Sequence, residues 1–199
     1  MTFTPPKISA VILAGGQAQR MGGSDKGLLL LKGKPLVAWL IERIKAQVDE
    51  IIISANRNHE QYARFGYPVL QDTLNGYAGP LAGLSCALRA AKHPLILCVP
   101  CDTPLLPGDL ATRLYTGLIG SNAPIAVAQA GAQIHPTVML CQRELAAHLE
   151  NFLASGERKV AQWQAQLQAS VVHFDEADAF MNINTPAEMD LLERKITIE

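Results

Sequence analysis

The chain alternates short, continuous apolar runs rich in Ile, Val and Leu with longer stretches in which apolar residues recur every three or four positions. The first pattern suits strands buried on both faces and the second suits amphipathic helices, so their alternation predicts a parallel sheet with helices on its faces. Strands are expected at ISAVILA (8–14), EIIISA (50–55), YPVLQ (67–71), PLILCVP (94–100), APIAVAQ (123–129), PTVMLC (136–141) and ASVVHF (169–174). Helices are expected from Pro35 to Gln47, Glu60 to Phe65, Pro80 to Ala91, Pro107 to Leu118, Arg143 to Leu153, Val160 to Gln166 and Pro186 to Lys195. Pro35, Pro80, Pro107 and Pro186 each suit the first turn of a helix, where the missing N–H is not needed.

The pattern shows no repeat and no low-complexity tract, and 199 residues suffice for one α/β domain whose core needs no disulfide or structural metal. Composition narrows the function classes. With 49% hydrophobic and 18% charged residues and a formal net charge of -1, neither disorder nor a surface coating a polyanion is suggested, and no nucleic-acid partner is expected. Cys86, Cys98, Cys101 and Cys141 are too few and too uneven for a secreted disulfide framework. The N-terminus lacks the features of a signal peptide, and no apolar run approaches the roughly 18 residues of a membrane span. A soluble, cytoplasmic protein with no membrane partner is expected.

In an open α/β sheet the ligand crevice lies beyond the carboxyl ends of the strands, which directs attention to the residues just past each strand. After the first strand come Leu13, Ala14, Gly15 and Gly16, then Arg20, Gly22 and Lys26. Glycines allow close backbone approach, successive N–H groups can cradle an anion, and the two cations match a polyphosphate. The spacing is not that of a P-loop, because Lys26 precedes Gly27, and there is no GxGxxG. A glycine-rich connection with two solvated cations is the competing reading.

Asn56 and Arg57 come after the second strand, Asp72 after the third and Asp102 after the fourth. A strand-end carboxylate is well sited for Mg²⁺, which takes one or two carboxylates together with phosphate oxygens. Each aspartate alone also reads as an ordinary turn or cap residue; beside the cationic loop they suggest a Mg-nucleotide site. Gly79, in the turn leading to Pro80, either offers backbone N–H groups to a nucleotide or only shapes the turn. In Cys98-Val-Pro-Cys101, Cys98 sits inside a strand and there is no second ligand pair, which argues against redox or zinc chemistry. His135-Pro136-Thr137 could line an acceptor pocket or be an ordinary loop.

Together LAGGQAQRMGGSDKGLLLLKGKPL, SANR, GPLAG, CVPCDTP, HPTV, SGERK and NINTPAE resemble, almost end to end, the bacterial molybdenum cofactor guanylyltransferases. Sugar-phosphate nucleotidylyltransferases share the first loop; DK after that loop, the Asn of SANR and the late GERK point to the guanylyl branch. The resemblance implies a Rossmann-like three-layer α/β sandwich with a mostly parallel central sheet, one nucleotidyltransferase domain over residues 1–199. Its N-terminal half would bind nucleotide and its C-terminal half the acceptor. It implies transfer of GMP from GTP to molybdopterin or molybdenum-molybdopterin, with release of pyrophosphate.

Carried over by position, Leu13, Ala14, Gly15, Gly16, Gly22, Lys26, Asn56, Asp72, Gly79 and Asp102 would contact nucleotide. Asp102 would ligate Mg²⁺, Lys26 and Arg20 would act in catalysis, and Arg158, Lys159, Asn182 and Asn184 would receive the acceptor. The family often has arginine where Lys159 stands, and lysine cannot grip a phosphate bidentately. A monomer is expected, with molybdenum-insertion and client molybdoenzyme proteins as further partners. The alternatives are a cytidylyl or sugar-1-phosphate nucleotidyltransferase, or a silent nucleotide-binding protein that delivers cofactor.

Overall fold

The computed structural model describes residues 6–14, 25–72 and 79–196. Its centre is a seven-stranded, mostly parallel sheet. In chain order the elements are β1 (Ile8–Leu13), β2 (Leu30–Leu31), β3 (Lys34–Pro35), α1 (Leu36–Ile44), β4 (Glu50–Ser54), α2 (His59–Ala63), β5 (Val69–Leu70) and α3 (Pro80–Ala90). They continue with β6 (Leu95–Pro100), α4 (Leu110–Ser121), β7 (Ile125–Ala130), β8 (Gln133–Gln142), α5 (Ala146–Ala154), α6 (Val160–Gln166), β9 (Ser170–Phe174) and α7 (Pro186–Lys195). The order across the sheet is β5-β4-β1-β6-β8-β7-β9.

The apolar runs form strands because both of their faces are covered. Along β1, Ala10 and Ile12 enter the same core as Val37, Leu40 and Ile44 of α1 and Leu110 and Leu114 of α4. Val11, between them, packs with Leu81, Leu84 and Leu88 of α3 and with Leu149 and Phe152 of α5 on the other face. Successive side chains of a strand alternate between faces, so a wholly apolar strand is what a three-layer sandwich demands. A small third core joins the β2–β3 hairpin to α7 through Leu31, Leu36, Ile183 and Leu192.

One strand runs against the rest. β8 is antiparallel to both β6 and β7. The β7–β8 register shifts between Val127 and Ala128, whose partners are Met139 and His135. Pro136 falls in the skipped segment, as a residue that cannot donate to a ladder should.

Pro80 and Pro186 do open helices, but Pro35 and Pro107 do not. Pro35 pairs with Leu30 in the small hairpin, and α4 begins three residues after Pro107. Proline's fixed φ serves a turn or a strand edge as well as a first helical turn, so the residue alone does not choose. No described helix is long and apolar enough to cross a membrane.

Candidate nucleotide site

Three parallel strands, β4, β1 and β6, end side by side, and short hydrogen bonds lock the residues just past their ends. Ala14 donates its N–H to Ser54 O at 2.7 Å and Cys101 donates to Leu13 O at 3.0 Å. The strand order reverses around β1, since β4 and β5 lie to one side of it and β6 to the other. A crevice at such a switch point is where open α/β sheets bind ligands.

Asn56 and Asp72 each stand two residues past their strands and hold one another. Asn56 Nδ2 donates to Asp72 Oδ2 at 2.9 Å, while its Oδ1 accepts the Asp72 N–H at 2.9 Å. Ser54 Oγ approaches the other Asp72 oxygen at 3.5 Å. Behind this pair lies α3, whose Gly83 leaves no room for a side chain. A Cβ there would sit 3.0 Å from Leu13 Cδ2 and closer still to Ser54 Oγ. Gly79, at φ +71°, makes the turn that brings α3 in beside the strand ends.

The second cluster centres on Lys26. A 3-10 turn at Lys26–Leu28 starts from the N-cap Asp25, and Lys26 Nζ reaches across to Asp102 Oδ2 at 3.1 Å. The same ammonium donates to Asn184 Oδ1. The side chains of Lys26 and Asp102 are only 22% and 14% exposed, so water screens this pair less than a surface ion pair. The N–H of Ile183 donates to Asp102 O at 3.0 Å, which lays the Asn182–Asn184 segment along the end of β6. Asn184 is held in turn by Glu188, whose Oε2 accepts the Asn184 N–H at 2.6 Å. Thr185 Oγ1 accepts the Glu188 N–H at 3.2 Å, completing a reciprocal cap on α7. The Asn184 N–H is the leading cause that holds the Glu188 carboxyl below its ordinary value, and the Lys26 charge adds to it.

Asp102 Oδ1 is buried and has no hydrogen-bond partner among the described residues. A buried, unpaired carboxylate oxygen calls for a cation or a donor from outside the chain. Among the described residues no three His, Cys, Asp or Glu side chains gather as a ready-made metal cage. Mg²⁺ fits this donor set, since it is commonly held by one or two carboxylates with phosphate oxygens and water.

The remaining expected residues divide. Asn182 flanks the Lys26–Asp102–Asn184 cluster, and its buried Oδ1 also has no partner among the described residues. Arg158 donates instead to the carbonyls of Leu153, at 2.7 Å, and Glu157, at 2.6 Å, and so closes the C-terminal end of α5. Lys159 is the N-cap residue of α6. Gly15, Gly16, Arg20 and Gly22 lie outside the described residues. His135 is buried in β8 with its ring against Phe180, 5.1 Å between centroids, and that burial lowers its pKa. Cys98, Cys101 and Cys141 are buried free thiols, and burial pushes their pKa values up, that of Cys141 to about 12. They are therefore poor nucleophiles.

Sequence reasoning assigned no role to Ser54, Gly83 or Glu188. Glu188 left a signal, because Thr185-Pro186-Ala187-Glu188 spells a capping box, while Ser54 and Gly83 lay within SANR and GPLAG.

The open sheet with its switch point at β1 is the frame of a nucleotide-binding α/β protein, and the family match gives the class: residues 10–170 match the MobA-like NTP transferase domain, a nucleotidyltransferase. A molybdenum cofactor guanylyltransferase of Shewanella loihica is 46% identical over 192 residues, covering 96% of this chain and 98% of that protein. One from Shewanella sediminis is 47% identical over 191 residues, covering 96% and 97%. Among solved structures, molybdopterin-guanine dinucleotide biosynthesis protein A of Archaeoglobus fulgidus superposes with a TM-score of 0.77 at 22% identity, covering 94% of this chain and 97% of that one. The chain belongs to the molybdenum cofactor guanylyltransferases, within the MobA-like NTP transferase family.

Proposed function

We propose that the protein transfers GMP from GTP to molybdopterin carrying molybdenum, forming the molybdopterin guanine dinucleotide cofactor and pyrophosphate. Family membership supports the reaction. The observation that carries it in this molecule is Asp102, one of whose carboxylate oxygens is held by Lys26 while the other is buried and has no partner among the described residues.

An oxygen of the acceptor's terminal phosphate attacks the α-phosphorus of GTP. The bond from that phosphorus to the bridging oxygen breaks, and its electron pair leaves with pyrophosphate. The attacking phosphate is already ionised near neutral pH, so no side-chain base is needed. The obstacle is that two anions must meet. Mg²⁺, when held at Asp102, supplies positive charge to the polyphosphate and the departing pyrophosphate. Lys26 adds a second positive charge at the same point, and Asn184 fixes where its ammonium sits. Arg20, Gly15, Gly16 and Gly22 complete the phosphate loop in this reading, and Leu13, Ala14 and Gly79 present backbone to the nucleotide. Asn56 and Asp72 hold each other in place for the nucleoside. Holding both substrates in line is worth about 7 to 11 kcal/mol of barrier.

Asn182, Asn184, Arg158 and Lys159 form the acceptor side. Residues 1–199 act as one domain, a cytoplasmic monomer that receives molybdopterin from, and passes cofactor to, molybdenum-insertion and client proteins. Calorimetric titration with GTP, CTP, ATP and UTP, with and without Mg²⁺, tests the reading. It requires GTP to bind selectively and more tightly with Mg²⁺. Tighter binding of CTP would assign the chain to cytidylyl transfer, and failure of every nucleotide would remove the site.

A further inference from the structure

Asp25 stands beside Lys26 but faces the other way. It is only 9% exposed, and three donors converge on its carboxylate. Tyr62 Oη donates to Oδ1 at 2.5 Å, the Gly27 N–H donates to the same oxygen at 3.3 Å, and Asn58 Nδ2 donates to Oδ2 at 3.0 Å. None of these atoms takes part in the chemistry above; the three hydrogen bonds offset the cost of burying the carboxylate and at the same time fix its neighbours to it.

The local geometry is built around that network. Tyr62 is fully buried and is the only buried residue of the five-residue helix α2. A Cβ on Gly27 would lie 2.5 Å from the Tyr62 hydroxyl, so only glycine lets the ring approach the turn. Asn58 adopts φ +54°, a left-handed conformation that asparagine tolerates better than most residues. Burial first, then the neighbouring Cys101 and Asp25, hold the Tyr62 phenol far above its ordinary pKa, so the hydroxyl keeps its proton and donates.

Two separate stretches are therefore joined. Asp25 and Gly27 bracket Lys26, while Asn58 lies two residues beyond Asn56. The loop after β1 and the loop after β4 are tied side chain to side chain, 33 and 37 residues apart in sequence. We propose that Asp25, Tyr62 and Asn58 are positioning residues that set the Lys26 turn in register with the loop carrying Asn56, so that the phosphate and nucleoside contacts of GTP are presented together. The inference rests on the reading of Lys26 and Asn56 as GTP contacts.

The test is calorimetric titration of Mg-GTP into wild-type protein, Tyr62→Phe, Asp25→Asn and Lys26→Ala, with stoichiometry and melting temperature recorded for each. Tyr62→Phe removes one hydroxyl and keeps the ring. The expected result is about tenfold weaker GTP binding at unchanged stoichiometry for Tyr62→Phe and Asp25→Asn, the size seen when an outer partner of a binding group is lost. A purely structural role predicts the opposite split, with fewer competent molecules or a lower melting temperature and wild-type affinity in those that remain folded. Wild-type affinity in Tyr62→Phe, with Lys26→Ala impaired, overturns the positioning role alone. Wild-type affinity in Lys26→Ala overturns the reading beneath it. If Asp25→Asn does not fold, Tyr62→Phe decides the matter by itself.

Discussion

The two sides of the crevice are held in different ways. Among the residues proposed for the nucleotide, side chains hold side chains: Asn56 with Asp72, Lys26 with Asp102, Asp25 with Tyr62 and Asn58. Among those proposed for the acceptor, Asn184 meets Lys26, but Asn182 Oδ1 has no partner among the described residues and Arg158 is bonded to main-chain carbonyls of its own neighbourhood. The first region extends from parallel strands of one sheet, whose ends are fixed relative to each other by the ladder. The second lies on the connections from α5 to α6 and from β9 to α7. Preorganisation therefore comes readily where neighbouring strands end together.

Asp102→Ala breaks the prearranged side most severely. It takes the counter-charge from the Lys26 ammonium and removes the unpaired carboxylate oxygen, and turnover should fall about 10² to 10³-fold or more in a folded protein. A pyrophosphate-release assay with circular dichroism as the folding control checks this, and wild-type turnover would reject the metal assignment. Lys26→Ala should lose a similar or somewhat smaller factor, expressed in GTP affinity as well as rate. Gly83→Ala attacks the same side through packing. Its methyl has to displace Ser54 or Leu13, and the variant should lose about 1 to 3 kcal/mol of stability in urea unfolding. An unchanged midpoint would show that α3 can move away from the strands.

Arg158→Ala sharpens the comparison from the other side. It should raise the KM for the acceptor several-fold while GTP binding stays as it was, and an unchanged acceptor dependence would remove Arg158 from the site. The smallest effect is on pH. Burial raises the Glu50 carboxyl, but hydrogen bonds from Lys92 and Ser9 and the Lys92 charge outweigh it, so that Glu50, like Glu188, ends below the ordinary value of 4.5. Unfolding therefore takes up protons at these positions. Their contribution to stability is complete above about 4.5 and is lost as pH falls through the lower folded values. Melting temperatures from pH 6 to 3 should drop less in Glu188→Gln than in the wild type, and parallel curves would contradict the assignment to Glu188.

The same contrast explains how much of the molecule was legible in its sequence. The strand runs at 8–14, 50–55 and 94–100 mark buried parallel strands, and the residues after them, Asn56 and Asp102, could be found by counting from the strand ends. Asp72 comes after β5, which shrinks from the expected YPVLQ to Val69–Leu70 because it lies at the sheet edge and makes few pairings. The β2–β3 hairpin was invisible because two-residue strands carry no periodicity. β8 spans Gln133–Gln142, well beyond the apolar PTVMLC, since Gln133, Ile134 and His135 continue the ladder with β7 past the skipped segment. Asp25 reads as an ordinary cap in sequence, and only the arrival of Tyr62 from a distant helix buries it. Gly15, Gly16, Arg20 and Gly22 fall outside the described residues.

The inverted strand β8 has a further consequence. Because β8 runs against both β6 and β7, the chain turns between β7 and β8 at Gly131 and Ala132, on the same rim of the sheet where β6 ends. Elsewhere on that rim a change in loop length would move a residue of the nucleotide cluster, but this tight turn carries none of them. Gly131 and Ala132 are exposed, and residues can be added at such a turn while the ladder that holds β6 keeps its register.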